Sequence, residues 1–202
     1  MFGLFVFALA VVLILESKLG LSPWDVLAQG LAKHSPLSFG TATIVIGVVV
    51  LCIAWSLGGP PGIGTVANAV LIGAFIQALT AIDALVNLSH DGLSVRLPLL
   101  VLGIGLIGPA SAFYIGADFG AGPRDTLMLV GARRTRFRIG VVRATLEVLA
   151  LGAGIALGGT FGVGTVLFAL LVGPIVEASF AALARTPLAK PSPNPVPVVI
   201  AE

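Results

Sequence analysis

The chain repeats itself at an offset of one hundred residues, without a gap. Gly20-Leu21-Ser22-Pro23-Trp24-Asp25 returns as Gly120-Ala121-Gly122-Pro123-Arg124-Asp125. Leu57-Gly58-Gly59 returns as Leu157-Gly158-Gly159, and Gly62-Ile63-Gly64-Thr65-Val66 as Gly162-Val163-Gly164-Thr165-Val166. Gly40 pairs with Gly140, and Gly73 with Gly173. The residues between these anchors are overwhelmingly apolar: 57% of the chain is hydrophobic and 10% charged, with a mean hydropathy of +1.11. Soluble domains carry roughly 25% charged residues, and a polar surface cannot be built from what is here. The duplicated unit is therefore expected to be a membrane bundle, with the 26 glycines letting helix backbones approach one another. A net charge of +2 gives no basis for a nucleic-acid partner.

A helix needs roughly 20 residues to cross a bilayer. Six segments approach that length: 1–15, 39–57, 64–85, 97–115, 139–157 and 163–183. The first lacks a basic leading region and a small-residue cleavage site, so it reads as a retained helix rather than a signal peptide. Each half holds three spans, an odd number, so the second half must enter from the opposite face. The predicted fold class is an all-α membrane protein with six transmembrane helices in an inverted 3+3 repeat. Residues 1–100 form the first repeat and 101–185 the second, and 186–202 form a proline-rich disordered tail. Arg124, Arg133, Arg134, Arg136 and Arg138, with Arg185 and Lys190, lie on the same side as the N-terminus; Lys18, Lys33 and Arg96 lie on the other. The positive-inside rule then places both termini in the cytoplasm of a multi-pass protein of a bacterial inner membrane.

Each repeated motif begins a short helix, 26–33 and 126–133, too short and too mixed to span. Ser22 suits an N-cap, Pro23 the first helical position, and Asp25 the third, where a carboxylate can bond back to the cap and complement the dipole. Gly122, Pro123 and Asp125 repeat the arrangement. Two readings stand for Trp24, Asp25, Arg124 and Asp125. They are either caps and interface anchors on interfacial helices, or parts of paired re-entrant helices whose N-termini face a site from opposite sides. The uncharged loops 58–65 and 158–165 lack the lysine of a phosphate-binding loop. They read as tight turns with glycine in left-handed backbone, or as loops folded into the bundle with carbonyls lining a cavity.

Polar side chains inside spans are expensive and mark function by default. Glu147 lies about eight residues into the fifth span, ~12 Å deep at 1.5 Å per residue, and Arg143 is one turn earlier on the same face. Their counterparts Thr43 and Gly47 are uncharged, so this pair breaks the repeat. It is either a structural ion pair or a site for substrate or proton. Asn68, Gln77 and the equivalent Glu177 form a second set: interhelical hydrogen-bond glue, or part of a substrate path.

No catalytic constellation and no cofactor is expected. His34 and His90 are the only histidines, both in predicted loops, and neither has a spacing that makes a metal site with Cys52 or a carboxylate. Cys52, alone in an apolar run, is expected to be a small buried hydrophobe and cannot form a disulfide within the chain.

Residues 20–27, 38–41 and 61–65, together with 120–125, 133–135, 139–140 and 162–165, resemble the signature of the YczE/YyaS/YitT family of bacterial membrane proteins. The resemblance runs from Met1 to about Ala184 and departs at the start, where the family usually has a few more residues before the first span. It implies the fold and carries over no substrate and no catalytic residue, since the family is mostly described as uncharacterised. Two functions remain open. One is a small secondary transporter, with a small anionic or zwitterionic solute bound between the repeats. The other is a non-transporting scaffold or regulator, docking a partner or anionic lipid on the arginine patch at 133–138. Besides the lipid bilayer, a second copy of the chain is a plausible partner through its glycine-rich faces.

Overall fold

The structure, a computed structural model, describes residues 1–82, 92–117, 119–137 and 139–186. These residues are all-helical: α1 (Phe2–Ser17), α2 (Pro23–Lys33), α3 (Phe39–Ser56), α4 (Ile63–Leu79), α5 (Leu93–Ile115), α6 (Pro123–Thr135), α7 (Ile139–Ala156) and α8 (Val163–Ala184). Residues 187–202 of the expected proline-rich tail, Arg138 and His90 fall outside the described residues. Four helices, α3, α5, α7 and α8, are long and apolar enough to cross a membrane. The other two expected spans are shorter: α1 has 16 residues and α4 has 17, about 24–26 Å at 1.5 Å per residue. The third expected span ends at Leu79 rather than near residue 85, and the fourth starts four residues early at Leu93, capped by Gly92.

Where the helices begin and end follows from local chemistry. Ser22 and Ser38 each accept a hydrogen bond from the backbone three residues on, at Asp25 and Thr41, so α2 and α3 start where a hydroxyl can satisfy an orphan N–H. Pro23 and Pro123 sit at the first helical positions, where their missing N–H is not needed. Lys18 and Arg136 end α1 and α6 in left-handed backbone.

At the centre α1 packs on α5 through small residues in reciprocal fashion. A Cβ on Gly3 would lie 3.0 Å from the Ala110 carbonyl oxygen, and one on Gly103 would lie 2.9 Å from that of Ala10. Around this pair α1 also packs on α4 and α5 on α8, α2 on α7 and α6 on α3, α2 on α3 and α6 on α7. Each of these contacts has its counterpart one hundred residues on. One strong contact has none: α3 packs tightly on α4, whereas α7 and α8 share no comparable packing. The buried core lies on α1, α4 and α5, around Val11, Ile14, Ile76, Leu100 and Ile104, while α7 and α8 are largely exposed. In a chain of this hydropathy the outward faces are as apolar as the core (Val148, Leu149 and Leu170 are exposed). Cys52 belongs to that outward set and is exposed rather than buried. A small hydrophobe facing lipid has no need of a protein core.

Two basic residues of the short helices do more than mark topology. Lys33 Nζ donates to the Gly158 carbonyl oxygen at 2.5 Å, and Arg134 Nε to that of Leu57 at 2.9 Å. Each cation closes the C-terminus of a helix in the opposite half, where the dipole is negative. Both bonds are exposed, so Lys33→Met or Arg134→Met should each destabilise the protein by only about 0.5–1 kcal/mol, read as a small drop in melting temperature in detergent.

Candidate functional site

The glycine-threonine motifs lock the two halves together and thereby position the short helices. The N–H of Gly64 donates to the Phe119 carbonyl oxygen at 2.8 Å, and that of Gly164 to the Leu19 carbonyl oxygen at 2.7 Å. The N–H groups of Gly62 and Gly162 are held by Thr65 Oγ1 and Thr165 Oγ1 at 3.2 and 3.3 Å. Gly20 and Gly120 have φ of 122° and 119°, and a Cβ there would come within 2.7–2.8 Å of Thr165 Oγ1 and Thr65 Oγ1. The start of each of these loops is a turn, with Gly58 and Gly158 at positive φ. The end of each is docked against the strap that leads into the short helix of the other half. The sequence shows the motif but not this cross-docking.

As a result the N-termini of α2 and α6 meet in one cavity of about 330 Å³. Trp24, Asp25, Arg124 and Asp125, the four repeat-motif residues, all line it, and so do Asn68, Arg143, Glu147 and Glu177. Gln77 does not. It sits at the end of the α3–α4 seam, where Ser38 Oγ donates to its Oε1. Two guanidinium groups and four carboxylates therefore share the cavity.

Asp25 is buried and receives the Ser22 hydroxyl, with Arg124 at 4.0 Å. The Arg124 guanidinium also lies over the Trp24 ring, 5.1 Å from its centroid, an arrangement in which the ring face attracts the cation. Asp125 accepts from Tyr114 Oη at 3.3 Å. Burial pushes the Asp25 and Asp125 carboxyls up from their ordinary value. Arg124 and the Ser22 hydroxyl pull Asp25 back; Arg143, the Tyr114 hydroxyl and then Arg124 do so for Asp125. Arg143 Nε donates to Glu147 Oε1 at 3.2 Å, but their side chains are 52% and 27% exposed. The pair expected deep in the bundle thus stands at the cavity's edge, on α7, which has no comparable packing against α8, and Glu177 on α8 is exposed too.

Sequence reasoning passed over Tyr114, Ser111 and Met128, all of which line the cavity. The signal for Tyr114 was present: it is the only tyrosine of the chain, near the end of a span. His34 is placed at the C-terminus of α2, with Nδ1 3.2 Å from the Gly30 carbonyl oxygen. Among the described residues no three His, Cys, Asp or Glu side chains cluster closely enough to hold a metal ion.

Comparison with known proteins adds descent and no activity. Residues 1–180 match the family described as "Family of unknown function (DUF6198)". An "Uncharacterized protein" of Haemophilus influenzae is 35% identical over 93% of this chain and 84% of its own length. The "Uncharacterized membrane protein YczE" of Bacillus subtilis is 35% identical over 95% of this chain and 92% of its own. The "Uncharacterized protein YyaS" of the same organism is 31% identical over 88% and 92%. No solved structure matches the chain. With apolar helices long enough to span and relatives matched along nearly their whole length, this chain is a membrane protein that belongs to the DUF6198 family and is related to YczE and YyaS.

Proposed function

We propose that the protein is a small secondary transporter, a carrier and not an enzyme, of six spans in two inverted halves. In this reading both termini are cytoplasmic in a bacterial inner membrane, and the solute binds between the halves. The observation that carries it is the convergence of both repeated helix N-termini and six acidic or basic side chains (two arginines and four carboxylates) on one cavity. Structural caps alone give no reason for the two motifs to share a cavity. Broken or short helices whose N-termini face a site between inverted repeats are the usual substrate geometry of such carriers. A volume of about 330 Å³ suits a compact solute. Carboxylates outnumber guanidinium groups four to two, which disfavours a simple anion and supports a zwitterion: its carboxylate toward Arg124 and Arg143, its amine toward Asp125 and Glu177.

The test is a thermal-shift series on the purified full chain with amino acids, betaines, inorganic phosphate and chloride. A zwitterion at a hundred times its Kd should stabilise the protein by about 2.7 kcal/mol, phosphate and chloride should not, and vesicle uptake of the same compound should fall at least tenfold in Glu147→Gln without loss of folding. A folded protein that no zwitterion stabilises would overturn this reading and favour the scaffold, whose surface retains the exposed Arg133 and Arg136 while Arg134 is engaged with Leu57. Uptake unchanged in Glu147→Gln would make the Arg143–Glu147 pair structural.

A further inference from the structure

The one helix pair without a counterpart is informative because the residues that would build it are present. In the first half Gly40 and Gly73 are buried face to face. A Cβ on Gly40 would lie 2.6 Å from the Gly73 carbonyl oxygen, and one on Gly73 would lie 2.5 Å from that of Gly40. Gly47 sits on Ala69 in the same way, its Cβ position 3.2 Å from the Ala69 carbonyl oxygen, and the Ser38–Gln77 hydrogen bond closes the end of the seam. Backbones this close gain dispersion and weak Cα–H···O contacts that larger residues would forbid. In the second half Gly140 and Gly173 occupy the equivalent places, yet a Cβ on either would meet nothing within 4 Å. Glycine inside a helix is unfavourable unless close packing repays it, and here nothing packs. The cavity lining runs out onto these separated helices, through Arg143, Glu147, Gly173 and Glu177.

We infer that the structure is one of two conformations related by exchange of the halves: in the other, α7 closes on α8 through Gly140 and Gly173 while α3 parts from α4. The inference rests on the inverted-repeat transporter reading, in which the exchange moves the mouth of the cavity from one face of the membrane to the other. The two seams compete for the same central elements, so the ground state needs only a few kilocalories of bias. The exchange is not a perfect copy. Glu147 stands where Gly47 packs on Ala69, so its side chain must leave the closing seam, and what it pairs with in the cavity biases closure. The charges that break the repeat thus lie where they can couple occupancy to conformation.

The experiment is a pair of spin-label distances in the full chain, with the exposed Cys52 replaced by alanine and the protein in liposomes. Val48 with Val70, and Val148 with Leu170, are equivalent pairs on exposed positions of the two seams. The 48–70 distance should be mainly short and the 148–170 distance mainly long, each with a minor population at the other's value. Gly173→Leu, which meets open space in this conformation, should erase the short 148–170 population without lowering the melting temperature; Gly152→Leu, also in open space but outside the seam, should leave it. Gly73→Ala, which crowds the packed seam, should enlarge the short 148–170 population severalfold. A 148–170 distance that stays single and long in the parent and in folded Gly73→Ala would overturn the exchange. These distances require no solute, so an exchange seen in a protein that no zwitterion stabilises would sink the substrate reading alone, and binding with a static seam would sink the exchange alone.

Discussion

Gly20→Ala should destabilise the protein by about 3 kcal/mol or more, the largest single loss expected from so small a change. Two terms add. A non-glycine residue at a φ of 122° costs about 1–3 kcal/mol in backbone strain. Its methyl group must also displace Thr165 Oγ1 and the N–H groups of Gly162 and Thr165, which lie 2.7–2.8 Å from where the Cβ would be, and overpacking of this kind costs about 1–3 kcal/mol. The displaced group is the N-terminal turn of α8, so the contact between halves loosens as well. Gly120→Ala should behave alike against Thr65, 2.8 Å away. Gly58→Ala separates the terms: φ is 92° but nothing lies within 4 Å, so strain alone, about 1–2 kcal/mol, should remain. Thermal unfolding of the three variants in one detergent decides it. Equal losses at Gly20 and Gly58 would mean that the cross-docked strap contributes nothing.

Arg124→Leu should cost about 2–3 kcal/mol, because it leaves the buried Asp25 carboxylate without its cation. Removing one partner of a fully buried pair costs about 3–5 kcal/mol. The lower figure applies because the Arg124 side chain is 34% exposed and 4.0 Å from Asp25, so solvent screens part of the interaction. The face of Trp24 loses its cation in the same change. The double variant Arg124→Leu with Asp25→Asn should recover more than half of the loss, since the orphaned charge is then gone and Ser22 keeps a hydrogen-bonding partner. Additive losses in this cycle would show that Arg124 acts through packing and not through Asp25. In the transporter reading both single variants also abolish stabilisation by a zwitterion, while Lys33→Met and Arg134→Met, which lie outside the cavity lining, preserve it.

The features legible in the sequence were those set within a few residues of one another. Ser22-Pro23-x-Asp25 makes a helix start out of its own hydroxyl, ring and carboxylate, and both short helices fall where the motif puts them. Arg143 and Glu147 are one helical turn apart and pair as spacing requires. Burial was the harder quantity. Hydrophobic contrast tells a soluble helix which side faces the core, but α1, α3 and α4 are apolar all round, so nothing in the local pattern announced that Cys52 faces outward or that Arg143 stands at an edge.

What the sequence alone determined is therefore the class of protein, the duplication, the starts of the short helices and the set of ionisable side chains set among apolar segments, because composition, capping and periodicity act locally. Only the tertiary structure decided that Asp25 meets Arg124, that Tyr114 reaches Asp125, and that the glycine-threonine loops clamp the straps of the opposite half. Those partners come from different halves or different helices and meet only once the halves have docked. It also decided that Gly40 and Gly73 are in contact while the same glycines one hundred residues on are apart. Each seam joins two different helices, so the repeated glycines alone do not fix which seam closes; the packing of the whole bundle does.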